Sequence, residues 1–193
     1  MIGIVLCGGQ STRMSKDKGL LISQGKRWAE IIKEKFSEIS IPSVLSINAA
    51  QKEKYLTHFD ESDLVVDLST ITIRGPLLGL LSVHHAYPDD DLIVAACDMV
   101  NLEAKVLEKL LAEYSLSKID AVAYTGERVE PMCAIYSANG LKKIAVHYHQ
   151  NETHSHSMMH VLEKLNAKYI PIPKEWNPFF KNYNTAADLN HTN

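Results

Sequence analysis

The chain has 193 residues, 46% of them hydrophobic and 22% charged, which is enough apolar material for a full core and too much for a disordered chain. Its formal net charge is −3 with no basic block or repeat, which argues against double-stranded nucleic acid as the main partner. No apolar stretch approaches the roughly 20 residues of a membrane helix, and no basic segment followed by a long apolar one opens the chain, so neither a membrane span nor a secretory signal is expected.

Apolar runs alternate with amphipathic stretches, the pattern of a doubly wound, three-layer α/β fold with a mainly parallel sheet. Residues 2–6 read as a first, buried strand. It flows into Cys7-Gly8-Gly9-Gln10-Ser11-Thr12-Arg13-Met14-Ser15-Lys16-Asp17-Lys18-Gly19. Residues 27–40 read as a helix, with Trp28, Ile31, Ile32, Phe36 and Ile39 at helical spacing, ended by Pro42. A strand over 44–47 and a short helix over 52–59 follow. Leu64-Val65-Val66-Asp67 reads as a strand ending in a carboxylate, then a loop over 68–74. Gly75-Pro76 opens a helix over 76–87, with proline where its missing N–H costs little. After a turn at 88–91, Leu92 to Asp98 is the most strand-like run and again ends in a carboxylate.

A helix is expected over 103–115, strands over 120–124 and 132–136, and helices over 138–149 and 156–166. Tyr169-Ile170-Pro171-Ile172 reads as an edge strand, where proline is tolerated, and a last helix begins at Thr185. No repeat, low-complexity tract or linker interrupts the chain, so residues 1–193 are expected to form one domain. Cys7, Cys97 and Cys133 are odd in number, far apart and set among apolar residues. They read as reduced, buried thiols of a cytosolic protein.

Open α/β sheets bind ligands outside the carboxyl ends of their strands, and three features fall at such ends: the loop after Leu6, Asp67 and Asp98. The loop is neither GxxxxGK[ST] nor GxGxxG. Glycines let backbone N–H groups approach an anion, and Arg13 and Lys18 neutralise it, so Leu6, Cys7, Gly8, Gly9, Ser11, Thr12, Arg13 and Lys18 read as a polyphosphate site. The bland alternative is a tight turn from strand to helix.

Asp98 must be solvated, paired or metal-bound; it reads as a Mg²⁺ ligand, Asn101 being better placed to cap the helix at 103–115. Asp67 either caps a loop or accepts hydrogen bonds from a base. His147, His149, His154, His156 and His160, with His84 and His85, read as solvated surface side chains rather than a transition-metal site. The tail Phe179 to Thr185 alternates aromatic and polar residues. It reads as a strand with one wet face, which puts Asn182 and Asn184 on the same side as possible contacts to metal or acceptor.

Leu6 to Leu20 closely resembles the signature L-x-G-G-x-S-x-R-M-G-x-D-K of the molybdenum cofactor guanylyltransferases, the MobA family. Gly75-Pro76-Leu77-Leu78-Gly79, Cys97-Asp98-Met99, Glu130-Pro131-Met132-Cys133-Ala134-Ile135-Tyr136 and Phe180-Lys181-Asn182-Tyr183-Asn184-Thr185 resemble further family segments in the same order. Ser15, Val100, Ala186-Ala187 and His156 depart from it; the last touches the acceptor side. The resemblance spans roughly 1–189. It implies a nucleotide-diphospho-sugar-transferase-like, Rossmann-like fold and transfer of GMP from GTP to molybdopterin-bound molybdenum, with release of pyrophosphate.

On that basis Arg13, Lys18 and Asp98 are the expected catalytic residues, with Mg²⁺ on Asp98. Leu6, Cys7, Gly8, Gly9, Ser11, Thr12, Arg13, Lys18, Asp67, Gly75 and Pro76 are the expected nucleotide contacts. Gly8-Gly9 matches the guanylyl form; cytidylyl relatives tend to read L-A-A-G, and a missing methyl leaves room for a larger base. The expected partners are GTP and molybdopterin, with contacts to other molybdenum cofactor proteins, in a cytoplasmic monomer or weak oligomer with no nucleic acid and no membrane. The rival readings are cytidylyl or other nucleotidylyl transfer on the same scaffold, a non-catalytic GTP-binding module, and a histidine-dependent metal-binding protein.

Overall fold

The computed structural model describes residues 1–8, 17–116, 118–150 and 155–183. In chain order the elements are β1 (Ile2–Leu6), the hairpin β2 (Ile22–Ser23) and β3 (Lys26–Arg27), α1 (Trp28–Glu38), β4 (Ser43–Ile47), α2 (Lys52–Leu56) and β5 (Leu64–Val66). Then come α3 (Pro76–Ala86), β6 (Leu92–Ala96), α4 (Ala104–Ser115), β7 (Ala121–Thr125), β8 (Val129–Tyr136), α5 (Ala138–Gln150), α6 (Met158–Lys164) and β9 (Ala167–Pro171). Short 3-10 turns sit at Lys18–Leu20, Ala49–Gln51, Glu61–Asp63 and Lys174–Phe180.

The main sheet has seven strands in the order β5-β4-β1-β6-β8-β7-β9. β5, β4, β1 and β6 are mutually parallel; β8 runs antiparallel between β6 and β7, and β9 lies parallel on the outer edge of β7. Alternation along β1 shows why three layers form. Val5 joins the cluster that holds Ala29, Ile32 and Phe36 of α1 and Val106 and Leu110 of α4. Ile4 and Leu6 join the opposite cluster, with Leu77 and Leu80 of α3, Leu141 of α5 and Val161 of α6. A strand covered on both faces must be apolar at every position, which is what the first and sixth strands are.

Helix boundaries follow local chemistry. α1 buries Trp28, Ile32 and Phe36, one every four residues, and starts with Glu30 accepting the Arg27 N–H at 2.6 Å. α3 begins at Gly75, whose φ of 69° favours glycine, followed by Pro76 at its first position. Its burial of Leu77, Leu80 and Val83 is worth about 1.5–3 kcal/mol per side chain. Gly79 is the contact point of α3 with the sheet: a Cβ there would lie 2.4 Å from Ser46 Oγ and 3.0 Å from Leu6 Cδ2.

The elements expected between residues 2 and 172 are present with shifts of a few residues, and the late strand does sit at the edge. The β2–β3 hairpin was not expected. Two residues per strand leave too short an alternation to read, and the turn is marked only by Gln24 and Gly25, both at positive φ. β8 begins three residues earlier than expected. The tail 179–183 is not a strand either: Phe179 and Phe180 close the 3-10 turn that begins at Lys174, because Trp176 and Phe180 pack on Tyr124. The helix expected from Thr185 lies outside the described residues.

Candidate active site

The chain runs outward from β1 to β4 and β5, then returns to lay β6 on the other side of β1. The crevice beyond β1 and β6 is therefore the topological switch point, where ligands of open α/β sheets bind. Leu6 pairs with Ala96, so Cys7-Gly8 and Cys97-Asp98 leave the sheet side by side. They line a cleft of about 250 Å³ together with Lys18, Pro76, Met132 and Asn182. The amides of Cys7 and Gly8 both donate to the Ser46 carbonyl at 3.0 Å. What Gly8 offers the cleft is thus open space rather than a backbone donor.

Lys18 Nζ lies 2.8 Å from Asp98 Oδ2, and both side chains are largely buried. Asp98 therefore does not cap a helix. α4 starts after Glu103 with no side-chain cap at all. Asn101 has a different task from the expected capping: its Nδ2 donates to the Tyr183 hydroxyl at 2.7 Å. The Tyr183 amide in turn donates to the Asp98 carbonyl at 3.1 Å. This buried tyrosine docks the C-terminal segment beside the end of β6 and holds Asn182 at the cleft wall.

Asp67 follows β5, with its amide bonded to the Ile47 carbonyl at 2.8 Å. Burial raises its carboxyl pKa to about 6. Its Oδ1 is buried and has no hydrogen-bond partner among the described residues. A Cβ added to Gly8 would lie 3.5 Å from Asp67 Oδ2 and 3.8 Å from the Ser46 carbonyl and the Asn48 amide. Position 8 and Asp67 thus face one another, and a methyl on residue 8 would enter the space over the carboxylate. An unsatisfied buried carboxylate oxygen is costly, and a donor on a ligand would offset that cost.

Gly9, Ser11, Thr12, Arg13 and Asn184 lie outside the described residues, as do Ser15, Ala186 and Ala187. Leu6, Cys7, Gly8, Lys18, Asp98, Pro76 and Asn182 come together around one cleft, with Asp67 behind Gly8 and the exposed Gly75 at the start of α3. Met132 from β8 also lines the cleft, as does no residue of the other antiparallel partner, β7. Nothing in its own type marks Met132; only the Glu130-Pro131-Met132 segment hints at it. Gln51 and Tyr55 contact this region too, and the Asn48-x-x-Gln51 spacing of a capping box was the available signal.

The histidines divide. His84 is buried, not solvated, and burial lowers its pKa; His85 and His149 are exposed, and His147, His156 and His160 are half-buried. His154 lies outside the described residues. His84, His85 and His149 line a groove of about 660 Å³ between α3, α5 and residues 68–73, which is mostly apolar. Among the described residues no group of three or more His, Cys, Asp or Glu is arranged to hold a metal ion by itself. All three cysteines are buried and free. No helix of the described residues is long and apolar enough to cross a membrane.

A mostly parallel, helix-covered sheet with a charged cleft at its switch point is the architecture of the nucleotide-diphospho-sugar-transferase-like proteins. Residues 3–168 match the MobA-like NTP transferase domain, and the chain belongs to that family. It is 28% identical over 190 residues to a protein of Flavobacterium johnsoniae named a probable molybdenum cofactor guanylyltransferase, covering 98% of this chain and 94% of that one. The crystal structure of molybdopterin-guanine dinucleotide biosynthesis protein A from Archaeoglobus fulgidus superimposes with a TM-score of 0.79 at 26% identity, covering 98% of this chain and 95% of that one. A 4-diphosphocytidyl-2C-methyl-D-erythritol synthase of Anaerococcus prevotii shares the fold alone, with a TM-score of 0.68 at 12% identity over 97% of this chain and 92% of that one.

Proposed function

We propose that this protein transfers GMP from GTP to molybdopterin-bound molybdenum cofactor, releasing pyrophosphate. The observation that carries the reading is the Lys18–Asp98 pair at 2.8 Å in the switch-point cleft, in a chain whose near full-length relatives bear that activity in their names.

The acceptor is a phosphate monoester with a second pKa of about 6, so it is mostly dianionic at neutral pH and needs no general base. The residues must instead hold the two substrates in line and balance charge on the leaving pyrophosphate. Lys18 lies in the cleft wall, where its ammonium would counter that charge; Arg13 would do the same from the loop that also carries Gly9, Ser11 and Thr12. Cys7, Gly8, Gly75 and Pro76 would border the nucleotide. Asp67 would accept the guanine N1–H and exocyclic amine through the carboxylate whose Oδ2 faces Gly8. Adenine and cytosine do not present that donor pair.

Mg²⁺ fits the donor set. Asp98 and Asn182 line one cleft and carry hard oxygen atoms that would hold the ion, and Asn184 would add another. When bound, the ion supplies charge neutralisation at the phosphates. A cytoplasmic setting agrees with three free, buried cysteines.

The test is pyrophosphate release by the purified protein with molybdopterin-bound acceptor, Mg²⁺ and GTP, CTP, ATP or UTP in turn. Release with GTP alone is expected. Release with CTP at an equal rate overturns the base assignment, and stabilisation by GTP with no pyrophosphate from any nucleotide overturns the enzymatic reading. The binding arm is sensitive, since a ligand at 100 times its Kd adds about 2.7 kcal/mol.

A further inference from the structure

The side-chain amide of Gln51 ties Cys7, just past the end of β1 on the cleft, to Asp17, the residue before Lys18. Its Nε2 lies 3.1 Å from the Cys7 carbonyl oxygen and 2.6 Å from Asp17 Oδ2. Its Oε1 accepts the Asn48 N–H at 2.8 Å, while the Gln51 N–H donates to Asn48 Oδ1 at 3.2 Å. Every polar atom of the amide is therefore used, and its orientation is dictated by its partners. Oxygen must face the Asn48 donor, and nitrogen must face two acceptors.

The other oxygen of Asp17 is equally engaged. Oδ1 accepts the Tyr55 hydroxyl at 3.0 Å and the Gly19 amide at 3.0 Å. Room for the tyrosine depends on glycine at 19, since a Cβ there would stand 2.2 Å from the Tyr55 oxygen. The carboxylate of Asp17 is thus gripped by three donors, two of them from the 3-10 turn and helix that follow β4. The next residue is Lys18, whose ammonium meets Asp98.

We infer that Gln51, assisted by Tyr55, is a positioning residue for nucleotidyl transfer: by tying Asp17 to the end of β1 it fixes the Lys18 ammonium in the cleft. Gln51 touches neither substrate nor metal in this scheme and acts only through Lys18. The inference rests on the reading of the cleft as a nucleotidyl-transfer site.

The sharpest test is Gln51→Glu, a one-atom exchange that turns two donors into acceptors opposite a carbonyl and a carboxylate. Gln51→Leu removes the donors with little change in volume. In steady-state pyrophosphate release with GTP and Mg²⁺, both variants are expected to lose about ten-fold or more in kcat/KM, Gln51→Glu the more. The preference for GTP over CTP stays unchanged, because the base lies elsewhere. The decisive arm is the double variant. If Gln51 acts through Lys18, then Gln51→Leu costs little further in a Lys18→Ala background, whereas a purely structural defect adds its full cost there.

Equal losses in both backgrounds, or wild-type kinetics in Gln51→Glu, overturn the inference. Where Gln51→Glu fails to fold, Tyr55→Phe carries the same double-variant test, since it removes only the hydroxyl that reaches Asp17. Failure of the wild-type protein to release pyrophosphate with any nucleotide overturns the underlying functional reading instead, so the two failures are distinguishable.

Discussion

Two concave regions flank α3, and they differ in kind. At its N-terminus lies the switch-point cleft, about 250 Å³, with a lysine–aspartate pair, an asparagine and two strand ends converging on it. Along its body lies the groove against α5, about 660 Å³, floored by Leu68, Ile71, Ile73 and Leu81 with histidines and Lys142 at its rim. The larger space carries the weaker chemistry. The ion pair at its edge, Lys142–Asp89, is mostly exposed and worth little, whereas Lys18–Asp98 is largely withdrawn from water. Volume measures how well helices cover a sheet. Chemistry collects where strand ends deliver polar groups to one place.

The largest effect that would break this contrast is at Asp98. Asp98→Ala is expected to cut pyrophosphate release by at least about 1,000-fold while circular dichroism stays native, since the residue is a partly buried end-of-strand group rather than core. Near-normal turnover in that variant with Mg²⁺ would move the active site away from the cleft.

A smaller effect is expected at Asp67. With its pKa near 6, raised by burial, the carboxylate is ionised and able to accept two guanine donors above about pH 7. As pH falls through 6 it takes up a proton and loses that capacity, so GTP affinity should fall by about ten-fold per pH unit below it. Titration calorimetry between pH 5 and 8 reads this directly. Asp67→Asn should bind GTP more weakly and abolish the pH dependence; an unchanged slope would remove Asp67 from the base pocket.

Gly79→Ala sharpens the comparison through stability, because this residue seats the helix that both regions share. The added methyl would press on Ser46 Oγ at 2.4 Å, and overpacking of this kind costs about 1–3 kcal/mol in urea unfolding. The smallest effect is predicted at Val146, 52% exposed on the groove. Val146→Asp should leave kcat and KM for GTP within about two-fold, the ordinary reach of an exposed substitution. A larger kinetic loss would show that the groove takes part in the reaction.

Much of this architecture was legible from local pattern. The continuous apolar character of residues 2–6 and 92–96 announced strands buried on both faces, and Trp28, Ile32 and Phe36 announced α1. Asp67 and Asp98 were recognisable as strand-end carboxylates because each follows an apolar run. The exceptions share a cause. Asn101 looked like a helix cap by spacing, but Tyr183, 82 residues away, claims its amide. Phe179 and Phe180 alternate with polar residues as a strand would, yet Tyr124 draws Phe180 into a 3-10 turn at a ring distance of 5.0 Å. His84 looked like one more surface histidine until α3 and the groove enclosed it. In each case a long-range partner outweighed a local preference of about 1 kcal/mol or less.

By itself, the order of residues determined the alternation of strands and helices, the glycine-rich passage after β1 and the placing of carboxylates at strand ends. These depend on periodicity and on neighbours a few residues apart. Tertiary structure alone decided that Lys18 meets Asp98 across 80 residues, that Gly8 looks onto Asp67, and that Gln51 joins Cys7 to Asp17. Those contacts arise from the crossover that lays β6 beside β1 and β4 on its other side. A crossover is a property of the whole chain, because only the packed sheet brings its strand ends within hydrogen-bond distance.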